Sequence, residues 1–533
     1  MAQILDGAGP ETRLPVRRID GLLDADDGLL GDYKLGLEPP GNPLVVTYSF
    51  ASPASPWSVE YPAQILADTA VELTPAQQDA TRTALAAWSR IADITFVEVQ
   101  ETAESVGVIR LARSEVATGA FTFVIRGGAA YGADIWFGTD FPAAADLLQP
   151  GSYGYMGFVH EIGHALGLKH PHEPPRVLPF DEDWLGASLM SYRTFPGQPT
   201  DDLLTAETFP DGPMAMDIEA IRFLYGKRAV AIGNDVYLFE PGERIFTTLV
   251  DEGGNDLLDW SNQTVAATID LRMGAWSLLG EPFSWQAGFF SDAGSFPGSL
   301  RLAPGTVIEA AFGGQGDDRI IGNAAANVLA GRAGDDVIVG GDGNDRLDGG
   351  SGDDLLLGQN GDDRILGLGG SDHLQGGNGA DQINGGTLDD ILDGGAGADD
   401  LFGGDGDDRM GGGGGADRIH GGNGRDVLAG GHGGDQLGGG AGDDLLNGGP
   451  GSDFLTGGTG RDRFVLEPDA GSTDRLTDFR PGIDQILLRG GYTAGQFLAA
   501  GRSSGGSTLF ELDGGHDVLV VGAAGARIDW FVG

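Results

Sequence analysis

The chain of 533 residues contains no cysteine. Disulfides and thiolate metal sites are therefore excluded, and any metal must be held by nitrogen or oxygen. Basic residues are scarce: 32 Lys and Arg stand against 79 Asp and Glu, a formal net charge of −47. Such a balance offers no basic footprint for phosphates, so nucleic acid is not expected as a partner. No apolar run approaches the roughly 18 residues that read as a membrane span, so stable membrane insertion is not expected. The first residues, Met1 to Gly7, carry neither a basic segment nor an apolar core. No Sec-type signal peptide is expected, and export would need another route.

What is present is concentrated in two patterns. The first is His160-Glu161-Ile162-Gly163-His164-Ala165-Leu166-Gly167-Leu168-Lys169-His170, which fits HExxHxxGxxH. On a helix, His160 and His164 lie four residues apart and face the same way. Gly167 lets the chain turn sharply, which returns His170 as a third ligand. Three imidazoles suit one catalytic Zn2+ and leave a coordination position open for water. Glu161 is placed to act as general base on that water. His172 lies two residues past the third ligand and is expected on the rim.

The second pattern is a repeat. From Gly313 to Val465 the chain divides into seventeen nine-residue units without a slip, of which Gly340-Gly341-Asp342-Gly343-Asn344-Asp345-Arg346-Leu347-Asp348 is one. The eighth position is always apolar, from Ile320 and Leu329 to Phe464, as in GGxGxDxUx repeats. The sixth is aspartate in every unit but one, where Asn327 stands. The aspartates are Asp318, Asp336, Asp345, Asp354, Asp363, Asp372, Asp381, Asp390, Asp399, Asp408, Asp417, Asp426, Asp435, Asp444, Asp453 and Asp462. Carboxylates in turns, with turn carbonyls beside them, suit several structural Ca2+ ions. The segment holds 28 Asp and 9 Arg with no Glu or Lys. Without cations that repulsion predicts a loose chain; with calcium it predicts a parallel β-roll stacked through the eighth residue.

Around these patterns the organisation reads as five stretches. Residues 1–35 are an N-terminal arm or pro-segment. Residues 36–228 form a mixed α/β domain. Its pieces include a strand at Leu44–Phe50 and a helix opened by Thr74-Pro75-Ala76-Gln77, which has the form of a capping box. A further helix over Met216–Tyr225 is predicted to stop at Gly226. Residues 229–312 are a β-rich connection, 313–465 the repeats, and 466–533 a C-terminal β cap with strands near Leu476–Phe479 and Asp484–Leu488.

Ser188-Leu189-Met190-Ser191-Tyr192 follows the histidine motif. The long motif, this Met-containing turn and the nonapeptide repeats together resemble the serralysin-type metallopeptidases of the metzincin clan, peptidase family M10, over nearly all of the chain after residue 36. The resemblance implies an α+β metzincin catalytic domain followed by an all-β parallel β-roll (RTX) domain. It implies a secreted, extracellular zinc metalloendopeptidase that hydrolyses peptide bonds in proteins. Met190 would form a floor beneath the metal, and Tyr192 a displaceable zinc ligand that stabilises the tetrahedral intermediate. The last strands would carry the signal for a type I ABC secretion apparatus. Asp529-Trp530-Phe531-Val532 is similar to the family's usual ending, from which Gly533 departs. The cleft wall is expected from an edge strand near Ala130–Phe137.

Two other readings are weaker. A calcium-dependent surface protein with a vestigial peptidase would have little reason to keep Glu161. A lipase on the same roll would need a nucleophile elbow; Gly501-Arg502-Ser503-Ser504-Gly505 has the letters but no strand-to-helix context. His373, His420, His432 and His516 read as turn or surface residues.

Overall fold

The computed structural model describes residues 3–6, 14–18, 33–35, 44–55, 64–102, 106–127, 130–173, 177, 182–193, 208–280, 283–285, 294–296, 298–467, 471–491, 493–512 and 515–532. The chain forms two compact units. One comprises Met1–Gly233, Gly242–Gly254 and Met273–Thr306; the other comprises Asn234–Pro241, Asn255–Arg272 and Val307–Gly533. The 229–312 stretch is thus distributed between them.

The first unit is α+β. Its main sheet runs β1 (Gln3–Asp6), β8 (Ala120–Gly127), β9 (Ala130–Gly138), β7 (Ile109–Ser114), β4 (Leu44–Phe50), β6 (Ile94–Glu98). β4, β6, β7 and β9 are mutually parallel where they pair, whereas β8 runs antiparallel to β9. The expected cleft strand near Ala130–Phe137 is therefore an inner strand, β9. The strand beside the histidine helix on that side is β8. Strand order is set by tertiary pairing, which local spacing does not encode. The backbone of β1 pairs parallel with β8, and β2 (Leu14–Arg18) meets β9 at Leu14 and Pro15. β3 (Tyr33–Leu35) pairs with β2; the rest of the 1–35 arm lies outside the described residues.

The short α1 (Gln64–Asp68) leads into β5 (Ala70–Val71), which pairs antiparallel with β7, and longer helices follow. α2 (Pro75–Ile91) starts at the predicted capping box: Gln77 N donates to Thr74 Oγ1, and Thr74 N donates to Gln77 Oε1. Its stripe of Leu85, Trp88 and Ile91 is buried. Trp88 Nε1 donates to Val159 O at 3.1 Å, which fixes α2 against α3 (Tyr153–Ala165). α4 (Ala215–Tyr225) ends at the predicted terminator Gly226, which adopts a positive φ of 88°.

The second unit is a parallel β-roll. Each repeat strand pairs with the strand two units later, as Arg346–Ser351 does with Arg364–Gly369. Alternate units build two long sheets. Every eighth-position side chain from Ile320 to Phe464 is 0–3% exposed, so the periodic apolar residue is the core. The second position of a unit is left-handed: Gly350 has φ 116°, and a Cβ there would stand 2.1 Å from the Arg332 carbonyl oxygen. Arg332, Gln359 and Leu368 nevertheless occupy second positions at φ 84°, 79° and 77°. After the repeats, strands Thr473–Leu476 and Gln485–Leu488 continue the two sheets, and Phe531–Val532 pairs with the latter. No described helix is long and apolar enough to cross a membrane.

Candidate metal centres

α3 is opened by Ser152, whose side chain accepts from Tyr155 N. Its last two turns carry His160, Glu161 and His164, all buried. The chain reverses at Gly167, with φ 106°, and His170 comes back to the helix. His170 Nε2 lies 3.3 Å from His160 Nε2 and 3.1 Å from His164 Nε2. A tetrahedral ion with Zn–N bonds of about 2.0–2.1 Å would hold its nitrogens about 3.3 Å apart. The three Nε2 atoms therefore fit a zinc ion as they stand.

Each outer nitrogen is committed elsewhere. His160 Nδ1 donates to Leu189 O at 2.9 Å, His164 Nδ1 to Leu168 O at 2.9 Å, and His170 Nδ1 to Glu173 Oε1 at 2.8 Å. These bonds fix the tautomer, so each Nε2 presents a lone pair to the centre. Burial pushes His160 down to about 4, His164 well below the ordinary histidine value, and His170 down as well. All three are neutral imidazoles at ordinary pH, as metal ligation requires.

The supporting groups come from distant parts of the chain. Thr122 Oγ1, on β8, lies 2.7 Å from Glu161 Oε2. Burial pushes the Glu161 carboxyl up to about 6. Met190 is fully buried, and a Cβ on Gly163 would stand 2.7 Å from its Sδ; glycine at that point of α3 admits the thioether. The turn holding Met190 is anchored by Asp217 of α4. Asp217 Oδ1 accepts from Ser188 Oγ at 2.6 Å, and Oδ2 accepts from Leu189 N at 2.8 Å and Met214 N at 2.9 Å. Asp217 thus holds the N–H of Leu189, the residue whose carbonyl orients His160. Tyr192 stacks on His160 with ring centroids 5.4 Å apart and lies 4.4 Å from His170, so its ring belongs to the same cluster. His172 stacks on His170 at 5.3 Å and is a quarter exposed, at the margin of the cluster.

The sixteen repeat aspartates form two buried ladders, each residue 0–3% exposed. In one, Asp318, Asp336, Asp354, Asp372, Asp390, Asp408, Asp426, Asp444 and Asp462 succeed one another; in the other, Asp345, Asp363, Asp381, Asp399, Asp417, Asp435 and Asp453 follow Asn327. Each backbone N–H donates to Oδ1 of the next rung, from 2.7 Å at Asp318–Asp336 to 3.2 Å at Asp444–Asp462. Oδ2 of every rung from Asp336 to Asp444 is buried with no hydrogen-bond partner. A Cβ on Gly340 would lie 2.3 Å from Asp345 Oδ2 and 2.9 Å from Gly358 O, so the orphan oxygen and a turn carbonyl of the next unit but one border the same small space. Such an all-oxygen setting fits calcium. Burial, with neighbouring carboxylates, pushes Asp336, Asp345, Asp354, Asp381 and Asp390 up to about 7. His516 differs from its expectation: it is buried, and its Nε2 lies 3.0 Å from Asp474 Oδ2. Apolar spacing gave no sign of this, because the partner is 42 residues away.

The family described as Peptidase M10 serralysin C terminal matches residues 237–502. A serralysin of Proteus mirabilis is 32% identical over 332 residues, covering 54% of this chain and 61% of that protein. Metallopeptidase AprA of Pseudomonas marginalis is 30% identical over 272 residues, covering 46% and 54%. Serralysin C of Dickeya chrysanthemi is 33% identical over 279 residues, covering 47% and 54%. The chain thus spans a little over half the length of the curated relatives it matches. Among solved structures, the extracellular lipase LipA of Serratia marcescens matches 43% of this chain and 40% of its own, at 17% identity and a TM-score of 0.17, too low to bear on fold or activity. The match across the roll and the relatives that share about a third of their aligned residues place this chain in the serralysin-type M10 family with RTX-type repeats.

Proposed function

We propose that the chain is a secreted, zinc-dependent metalloendopeptidase that cleaves peptide bonds in proteins. The observation that carries this reading is the convergence of His160, His164 and His170 through Nε2, with the Glu161 carboxylate next along the same helix. Zinc held there would acidify the attacking water and polarise the scissile carbonyl. Glu161 takes the proton from that water and passes it to the leaving amine, roles that suit a carboxyl whose pKa is raised toward neutrality. Thr122 holds one Glu161 oxygen still, and Tyr192, whose ring lies against His160 and His170, would stabilise the oxyanion. The names of the relatives, serralysin and metallopeptidase AprA, support the same class of activity.

The roll is read as a calcium-dependent fold, its ions held by the aspartates from Asp318 to Asp462. Low cytosolic calcium would leave it open for export through a type I ABC apparatus, and millimolar calcium outside would close it. The absence of cysteine and the acid-rich repeats are consistent with that route.

The test is hydrolysis of casein by the full chain in calcium, before and after zinc chelation, and with Glu161→Ala. Loss of turnover in both controls supports the assignment. Undiminished turnover in Glu161→Ala would exclude Glu161 as the base.

A further inference from the structure

The aspartate ladders do not end as they run. Between Asp336 and Asp444 each rung leaves Oδ2 without a donor. At the ends, protein groups supply one. At the far end of the first ladder, Arg480 Nη2 lies 3.1 Å from Asp462 Oδ2, 2.9 Å from Asp484 Oδ1 and 2.7 Å from Gly460 O. Arg480 N and Nε also donate to Asp484 Oδ2, at 2.7 and 3.2 Å. One nitrogen of a permanent cation is thus surrounded by two carboxylates of successive turns and a turn carbonyl. That is the oxygen set a hard divalent cation takes.

The second ladder begins with the substituted unit. Asn327 keeps the rung, accepting from Asn323 N at 2.8 Å and donating its own N–H to Asp345 Oδ1 at 2.7 Å. Its amide Nδ2, in place of a carboxylate oxygen, faces Glu309 O at 3.2 Å, Asn323 Oδ1 at 3.3 Å and Ile308 O at 3.5 Å. The same unit lacks glycine at its second and fourth positions, which are Asn323 and Ala325. The other two ends are closed as well. Asp318 accepts from Ala267 N and Gly314 N, both at 2.6 Å, and Asp474 is met by His516.

We propose that Arg480 and Asn327 are built-in substitutes for calcium: a guanidinium and an amide that fill the terminal oxygen sets of the roll, so that ions bind only between them. This rests on reading the ladders as calcium sites. It marks where the array of ions stops, and makes the sites around Arg480 and Asn327 independent of calcium concentration. The ends would therefore be ordered first and act as templates for the cation-dependent rungs.

The experiment counts calcium per full chain at saturation, by equilibrium dialysis and metal analysis, with circular dichroism to verify folding. Asn327→Asp turns the amide into a carboxylate among carbonyl oxygens and is expected to add one calcium. Arg480→Met removes the guanidinium and is expected to add one calcium and to raise the calcium concentration needed for folding several-fold. Arg480→Lys keeps a cation and is expected to retain the wild-type count. A folded Asn327→Asp chain with an unchanged count overturns the proposal, as does a folded Arg480→Met chain that gains none. If Arg480→Met does not fold, the Asn327→Asp count decides. A folded wild-type chain that binds no calcium would instead refute the calcium reading beneath it.

Discussion

Thr122 Oγ1 stands 2.7 Å from Glu161 Oε2 and 2.9 Å from Glu161 O, so one hydroxyl on strand β8 touches both the side chain and the backbone of the proposed base. A hydrogen bond to a charged carboxylate contributes roughly 1.5–3 kcal/mol. Thr122→Val preserves the shape and removes the hydroxyl. Its turnover number is expected to fall by about tenfold or more with little change in KM. Steady-state kinetics on a peptide substrate checks this; an unchanged kcat would show that Glu161 needs no positioning from β8.

Asp217 is buried at the base of the Met190 turn and accepts three hydrogen bonds. Asp217→Ala strands those donors, at about 1–3 kcal/mol each. The loosened turn should also release the Leu189 carbonyl from His160, with zinc affinity falling by about 10–100-fold. Asp217→Asn retains one accepting oxygen and should fall between. Denaturant melts and competition with a zinc chelator read the two effects separately. Loss of stability with unaltered zinc affinity would limit Asp217 to a packing role.

The calcium-free roll should depend on pH in an unusual direction. Five of its buried aspartates, Asp345 among them, are pushed from 3.8 up to about 7, so the fold binds protons that the open chain releases. That stability is fully present below the open-chain value and is lost as pH rises through about 7. Far-UV circular dichroism in chelator is expected to show more β-structure near pH 4.5 than at pH 8, and millimolar calcium should abolish the difference. Equal spectra at both pH values in chelator would refute it.

Leu388 occupies the fourth position of its unit with φ 76°, and its side chain is 60% exposed. A left-handed leucine costs about 1–2 kcal/mol, and little burial offsets it here. Leu388→Gly should stabilise the roll by about 1 kcal/mol after the added freedom of the open chain is subtracted. Thermal melts in calcium test this. A lowered Tm would mean that the exposed leucine packs in a way its exposure does not convey.

The parts of this molecule that were legible in sequence are those set by local spacing. His160 and His164 stand four positions apart on one helix, a glycine turn brings back His170, and Thr74 and Gln77 cap α2 within one turn. The apolar eighth residue marked the roll core at every repeat. Thr122 and Asp217 were not legible, because each meets the histidine helix or its neighbouring turn across long chain separations. Nothing in the letters of β8 told that it, rather than β9, would lie beside Glu161. His516 was misjudged for the same reason: only the folded cap brings it to Asp474.

The pairing of each unit with the second one after it means that the roll counts in eighteens, not nines. Deleting two adjacent interior units would leave every later strand on its own sheet and every later aspartate on its own ladder. Deleting one would transfer the whole downstream chain to the opposite face. Arg480 would then arrive at the ladder that His516 now closes. Length variation in such a protein is therefore quantised: the viable steps are pairs of repeats, and the covalent caps at the ends read the parity of the count.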